Sequence, residues 1–303
     1  MYIVRIHGGL GNQICEYIFL RFFKEILKTK DSEAVVKADL TWYDRNSRVH
    51  QGYELKRVFD LDLPTASYKE IAKVHEYYPH YHSFMPLRVI SRMLARIRNA
   101  HHTPSGGYIY DFDEYCYSYN PVYEELDKTK DWYIEGCFCS DAYFSRISDI
   151  VLKELKFVPL NDSKDIELMD KINTQDAVAI HVRRGDYNGT VFDVVGVDYY
   201  RKAAEYIKEK VKDPVFYVFS DDVEYVESNF TFLEDYKIIH HSGRESFRDM
   251  QFISACKHKI TANSTFSYCA ALLGEKTGGI IISPSKYKAD EDISMARACW
   301  ITI

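Results

Sequence analysis

The second half of the chain alternates short apolar runs with amphipathic ones. Runs at 176–182, 214–219, 236–240, 258–262 and 279–283 are rich in β-branched and aromatic residues and end in polar turns, the pattern of buried strands. Between them, 198–211, 222–229, 246–256 and 265–274 space their apolar residues at helical intervals. Strict alternation of the two predicts a parallel, doubly wound sheet. The first half is less regular. A strand over 2–6 leads through a glycine-rich turn at 7–12 into a helix from Gln13 to Lys28, with Ile14, Tyr17, Ile18, Phe22 and Ile26 on its apolar face. Residues 31–75 are mixed, and 76–130 are irregular apart from a helix over 86–102. Arg88, Arg92 and Arg96 mark one face of that helix, and Ile90, Met93, Leu94 and Ile97 the other. Such a helix packs its apolar face on its own domain, the commoner arrangement, or lies on an anionic membrane surface. The segment VPLNDSKD at 158–165 reads as a boundary, giving domains 1–157 and 158–303.

Polar groups gather where these strands stop. The run Ala177 to Val182 ends in His181, Arg183, Arg184, Gly185 and Asp186; the next stops at Ser220, Asp221 and Asp222, and a third at Asn263, Ser264 and Thr265. Ligands of open α/β sheets bind beyond the carboxyl ends of the strands, so these turns predict one crevice. Two guanidiniums, an imidazole and a carboxylate suit a small anion such as a nucleoside diphosphate. Side chains alternate along an extended strand, so His181 and Arg183 share one face while Val182 and Arg184 take the other. One arginine then meets the ligand and the other belongs to the scaffold. The plainer alternative is a structural ion pair between Arg184 and Asp186. HGGLGN at 7–12 resembles a phosphate-cradling loop but is neither G-x-G-x-x-G nor a P-loop. Gly8, Gly9 and Gly11 there permit close approach of a ligand, or simply a tight turn.

The 303 residues, 46% hydrophobic and 28% charged, suit two folded domains. A net charge of −6 argues against general nucleic-acid binding, so an anionic ligand must meet local arginines. The 25 Tyr and 17 Phe offer faces for sugars, although most belong to core and rim. Seven cysteines follow no disulfide or zinc framework, and reduced thiols are expected. No signal-peptide pattern opens the chain and no apolar stretch reaches the length of a membrane span, so a cytoplasmic location is expected. No set of His, Cys, Asp or Glu has metal-ligand spacing. Asp111-Phe-Asp113 has the D-x-D form of a manganese site but lies in irregular sequence and reads as chance.

Taken in order, HGGLGNQ at 7–13, HVRRGDY at 181–187, FSDD at 219–222 and ANSTFS at 262–267 resemble the family 11 glycosyltransferases, the bacterial α-1,2-fucosyltransferases. The similarity extends to 38–61, 133–144, 250–267 and 281–287. It implies two Rossmann-like α/β domains facing a cleft (the GT-B type), with an acceptor-side domain at 1–157 and a donor-binding domain at 158–303. It further implies metal-independent, inverting transfer of L-fucose from GDP-β-L-fucose to the 2-hydroxyl of a terminal galactose, in a surface polysaccharide or O-antigen. By this resemblance Arg183 holds the donor diphosphate and His181 a nearby part of the nucleotide, while Arg184 stands beside them. Asp221 or Asp222, next to Ser220, matches the two donors of the guanine edge. Asn263, Ser264, Thr265 and Phe266 open a helix that caps the diphosphate, and Gly9, Gly11 and Asn12 line the cleft from the other domain. Arginine then neutralises charge on departing GDP. Asp186 is the first candidate for the base, with Glu16 and His7 behind it; an ion pair with an arginine is the equal alternative for Asp186. The expected partners are GDP-fucose and a glycan acceptor, with no metal, no nucleic acid, and peripheral contact at the inner face of the inner membrane.

The chain departs from the family pattern at three places. Ile14, Cys15 and Glu16 replace an apolar pair and a glutamine, Cys139 replaces a glutamine, and Tyr268-Cys269 replaces a tryptophan pair. Other readings are transfer of another GDP-sugar or to another hydroxyl, and a catalytically degenerate nucleotide- or sugar-binding protein. The intact arginines, FSDD and NSTFS count against the last.

Overall fold

Parallel pairing joins the strands of both sheets. The computed structural model describes residues 1–303 apart from 31, 32, 47, 48, 81, 113, 114 and 292. The chain forms two α/β units, Met1–Lys156 and Phe157–Ile303.

In the first unit, β1 (Tyr2–Arg5), β2 (Val36–Asp39), β3 (Gly107–Asp111) and β4 (Trp132–Gly136) form a sheet in the order β2-β1-β4-β3. The helix Leu10–Lys30 follows β1. Its Phe19 stacks on Phe138 at 3.8 Å between ring centroids and meets Tyr123 and Tyr143 edge-on. Offset and edge contacts of this kind add to the burial of the rings, so part of the aromatic content is core. The helix begins at Leu10 rather than Gln13, which puts Gly11 and Asn12 in its first turn. Gly8 makes this possible by taking φ +72, a conformation costly for other residues. The buried Gln13 then ties the turn down: its amide donates to Gly8 O (3.1 Å) and Gly52 O (2.9 Å), and its Oε1 accepts from Glu54 N–H (2.9 Å).

Two expectations fail in this unit. Cys116 and Cys137 form a disulfide, with Cα atoms 5.1 Å apart, so the thiols are not uniformly reduced. The second failure concerns the helix Met85–Ala100, which does not pack its apolar face on its own domain. Only Ala95 is buried. Val89, Met93 and Ile97 are 54%, 55% and 54% exposed. The attachment runs along the opposite side: Ser91 Oγ donates to His80 O (2.9 Å), and the Asn99 amide exchanges two hydrogen bonds with the Tyr77 backbone.

In the second unit, β5 (Ala177–Val182), β6 (Val215–Ser220), β7 (Tyr236–Ile239), β8 (His258–Ile260), β9 (Ile281–Ser283) and β10 (Ile301–Thr302) lie in the order β10-β9-β8-β5-β6-β7. This is the doubly wound order of dinucleotide-binding folds. All six residues of β5 are buried, as befits a central strand covered on both faces. Val178, Ile180 and Val182 form one cluster with Tyr200, Ala203 and Ile207 of the helix Val197–Lys210. The helix Ser163–Thr174 starts inside the segment expected as a boundary, capped by Asp162, whose carboxylate accepts from Lys164 N–H at 2.8 Å. After β7 the chain crosses to β8, beside β5, so the order reverses between β5 and β8. Among the described residues no helix is long and apolar enough to cross a membrane.

Candidate active site

The order reverses between β5 and β8, the position at which open α/β sheets bind ligands beyond the carboxyl ends of their strands. His181 stands at this point, 6% exposed, its ring stacked on Phe266 at 5.4 Å. Phe266 belongs to the helix Thr265–Leu273, which follows β8, so the contact spans the switch point. Burial, then the positive charge of Arg183, pushes the His181 imidazolium down to about 4 against the opposing pull of Asp221. The ring is therefore neutral at physiological pH. Its Nδ1 is buried with no hydrogen-bond partner among the described residues.

The two arginines have different companions. Arg183 reaches Asp186 Oδ1 at 2.7 Å and Asp221 Oδ2 at 3.1 Å, and its guanidinium lies 5.6 Å from the Tyr187 ring centroid. Arg184 turns the other way, to Asp193 Oδ1 (2.8 Å), Asn188 Oδ1 (3.0 Å) and the face of Tyr225 (4.4 Å). The pair expected as the plain alternative, Arg184 with Asp186, gives way to Arg183 with Asp186. Asp221 also accepts from Arg184 N–H at 2.9 Å, joining the turn after β6 to the turn after β5. Gly185 leaves room for that approach, since a Cβ there would meet Asp221 Oδ2 at 2.8 Å and push the carboxylate aside.

The remaining residues of this cluster serve local structure as well. Asp222 caps the helix Val223–Asn229 by accepting from Tyr225 N–H at 3.0 Å, and Ser220 Oγ accepts from Asp222 N–H at 3.0 Å. Ser264 caps the helix beginning at Thr265. Asn263 donates to Phe192 O (2.9 Å) and Tyr287 O (2.8 Å), binding the loop after β5 to the one after β9. Sequence reasoning missed Asp193, Asn188 and Tyr225, which hold Arg184, and Tyr187 beside Arg183. Tyr187 adjoins the charged turn, but nothing in the spacing marks Asp193.

In the first unit the polar cluster follows β1. His7 Nδ1 lies 2.5 Å from Glu16 Oε1, and the His7 N–H donates to Glu16 Oε2 at 2.9 Å. Glu16 is fully buried. Burial raises its carboxyl above the ordinary carboxylate value, and the opposing pull of His7 offsets this only in part. On His7 burial acts first and downward, but Glu16 outweighs it and leaves the imidazole above its ordinary value. Trp42 and Phe112 meet the His7 ring edge-on at 6.2 Å and 5.4 Å. Gly9 lies against His50. Asp111 accepts from Tyr123 Oη (2.5 Å) and from the Asn120 amide (3.2 Å), a structural role; Asp113 lies outside the described residues. Among the described residues no group of three or more His, Cys, Asp or Glu is placed to hold a metal ion.

Two parallel α/β units, one with a neutral histidine and an arginine at its switch point, define an α/β protein with the layout of a nucleotide-binding fold. The chain belongs to Glycosyl transferase family 11, which it matches over residues 1–303, and it is a glycosyltransferase. It is 27% identical to the O-antigen biosynthesis glycosyltransferase WbnK of Escherichia coli, covering 98% of this chain and 99% of that one. It is 28% identical to an alpha-1,2-colitosyltransferase of Escherichia coli, covering 99% and 98%. A more distant likeness is the solved fucosyltransferase NodZ from Bradyrhizobium, with a TM-score of 0.46 and 12% identity over 90% of this chain and 92% of that one.

Proposed function

We propose that the protein transfers L-fucose from GDP-β-L-fucose, with inversion and without a metal ion, to the 2-hydroxyl of a terminal galactose in a surface-polysaccharide or O-antigen glycan. The observation that carries the donor half of this reading is the His181 ring. A buried polar atom without a partner costs about 1–3 kcal/mol unless something satisfies it, and the Nδ1 of His181 sits beside Arg183 at the switch point. A nucleotide diphosphate supplies both needs: an oxygen or hydroxyl for the imidazole and a dianionic group for the guanidinium. Arg183 then offsets charge on the departing GDP, as a metal does in other transferases. Asp221 and Asp222 stand next to that site as candidates for the guanine edge.

Two groups compete for the base. The 2.7 Å contact between Asp186 and Arg183 supports Asp186 as a positioning residue for the phosphate arginine. The His7–Glu16 pair supports His7 as the base. Glu16 engages Nδ1 and leaves Nε2 as the ring nitrogen that can take a proton from a sugar hydroxyl, while the resulting imidazolium is stabilised by the carboxylate. Trp42 and Phe112 beside it offer flat faces to a sugar ring.

The name of the colitosyltransferase relative supports one further transferred sugar, colitose, as the alternative to fucose. The test is incubation of the purified protein with GDP-fucose or GDP-colitose against lactose, N-acetyllactosamine, lacto-N-biose and Galβ1,3GalNAc, with the linkage read by NMR. An α-1,2-fucosyl product is expected. Turnover of GDP-colitose alone, or linkage at another hydroxyl, refutes the corresponding half of the reading.

A further inference from the structure

The helix Met85–Ala100 is built the wrong way round for a helix of a soluble core. A residue turns about 100° about the helix axis from its predecessor, so Ser91, Ala95 and Asn99 fall on one line and Val89, Met93 and Ile97 on the opposite one. The first line is the seam that meets the protein. The second points outward, and with Phe84, Met85 and Ile90, which are 65%, 64% and 47% exposed, it makes a continuous apolar surface. Patches of this kind on a folded domain mark interaction sites.

The charges around the patch select its partner. Residues 77–110 contain four arginines and no aspartate or glutamate, in a chain of net charge −6. Arg92 and Arg96 flank the apolar surface on one edge and Arg98 on the other, all exposed. Long guanidinium side chains at the rim of an apolar face reach the headgroup layer while the face itself sinks to the acyl boundary. A second copy of the chain fits poorly, because pairing two such helices brings arginines together with no carboxylate in the segment to meet them.

We propose that the helix Met85–Ala100 docks the protein, apolar face down, on an anionic phospholipid surface. The inference does not depend on which sugar is transferred. Combined with the proposed function, it points to acceptors carried on lipid, presented to a protein that rests on the same membrane.

Flotation of the full chain with vesicles tests it, in phosphatidylcholine alone and in phosphatidylcholine mixed with phosphatidylglycerol. Binding is expected to the mixed vesicles, much weaker binding to the neutral ones, and release by salt. Each basic residue near such a surface contributes about a fivefold change in partitioning, so removing Arg92, Arg96 and Arg98 together as alanines should weaken binding about a hundredfold. Val89→Asp, Met93→Asp and Ile97→Asp combined should abolish it. All six positions are exposed and lie outside the site, so GDP affinity should not change; melting temperature should fall by no more than about 3 °C, from the contact of Arg98 with the Tyr77 ring at 5.5 Å. Absence of binding, equal binding to both vesicles, or variants that bind like the parent overturn the proposal. So does a dimer in sedimentation equilibrium that Met93→Asp dissociates, since a second copy would then cover the face. Vesicle binding is read without donor or acceptor, so failure here and failure of the fucosyltransferase reading are distinguishable.

Discussion

Replacing Arg184 by alanine removes a guanidinium that donates to Asp193 (2.8 Å) and Asn188 (3.0 Å) and lies 4.4 Å from the Tyr225 ring. Its side chain is 18% exposed. An ion pair and a second charge-assisted bond, to a neutral acceptor, in this partly screened setting contribute about 1–2 kcal/mol, and the ring contact about 0.5–1 kcal/mol. A loss of about 1.5–3 kcal/mol lowers the melting temperature of a unit this size by about 5–10 °C. Arg183→Ala breaks pairs to Asp186 and Asp221, but Asp186 is 53% exposed. Each such pair contributes about 0–1 kcal/mol, so the loss of both should lower its melting temperature by no more than about 6 °C. The catalytic order is the reverse. Loss of a preorganised donor to developing charge costs about 100- to 1000-fold in kcat, which falls on Arg183→Ala. Arg184→Ala, assayed where it remains folded, should lose less than about tenfold, an indirect effect through the turn. Differential scanning fluorimetry and initial rates with GDP-fucose, taken well below both melting points, give the four numbers. Equal losses of kcat at equal folded fraction, or an Arg184→Ala variant as stable as the parent, refute the division of labour between the two arginines.

Three further outcomes follow from the site. Asp186→Asn should weaken GDP binding together with kcat/KM, and Asp186→Glu should restore both in part; a collapse of kcat with GDP affinity intact would return Asp186 to the base role. The acid limb of kcat/KM should lie above the ordinary histidine value of 6.5, because Glu16 holds the His7 proton more strongly than burial expels it. Glu16→Gln leaves burial to act without the carboxylate, so the limb should move below 6.5, and a limb that stays in place excludes His7 as the base. Activity should survive dialysis against EDTA; loss on dialysis with recovery on added manganese would contradict a metal-free mechanism.

The cluster at the end of β5 was legible because a buried strand cannot carry charge, so the break at His181–Arg183 marks where the β5 side chains leave the core. Strand parity assigned the arginines to different surroundings before any contact was known. Parity said nothing of Asp193, whose place depends on how the loop after β5 folds back. Cys116 and Cys137 lie 21 residues apart in irregular sequence, where spacing does not report proximity. The strand Ile301–Thr302 is too short for periodicity to detect. Over 85–100 the pattern revealed an apolar face but not its direction. Periodicity fixes the angle between faces, and only the Ser91 and Asn99 hydrogen bonds decide which one meets the body.

The fit of Asp221 against Gly185 also constrains how such a chain can diversify. The two residues sit 36 positions apart on neighbouring turns, yet any side chain at 185 intrudes on the carboxylate that bridges them. Substitution at either one alone is a step downhill, whereas a joint change that shortens one partner as the other grows stays passable. In a library randomised at both positions and selected for folding, occupancy of 185 and 221 should be statistically linked. The turns after β5 and β6 would then be inherited as one unit.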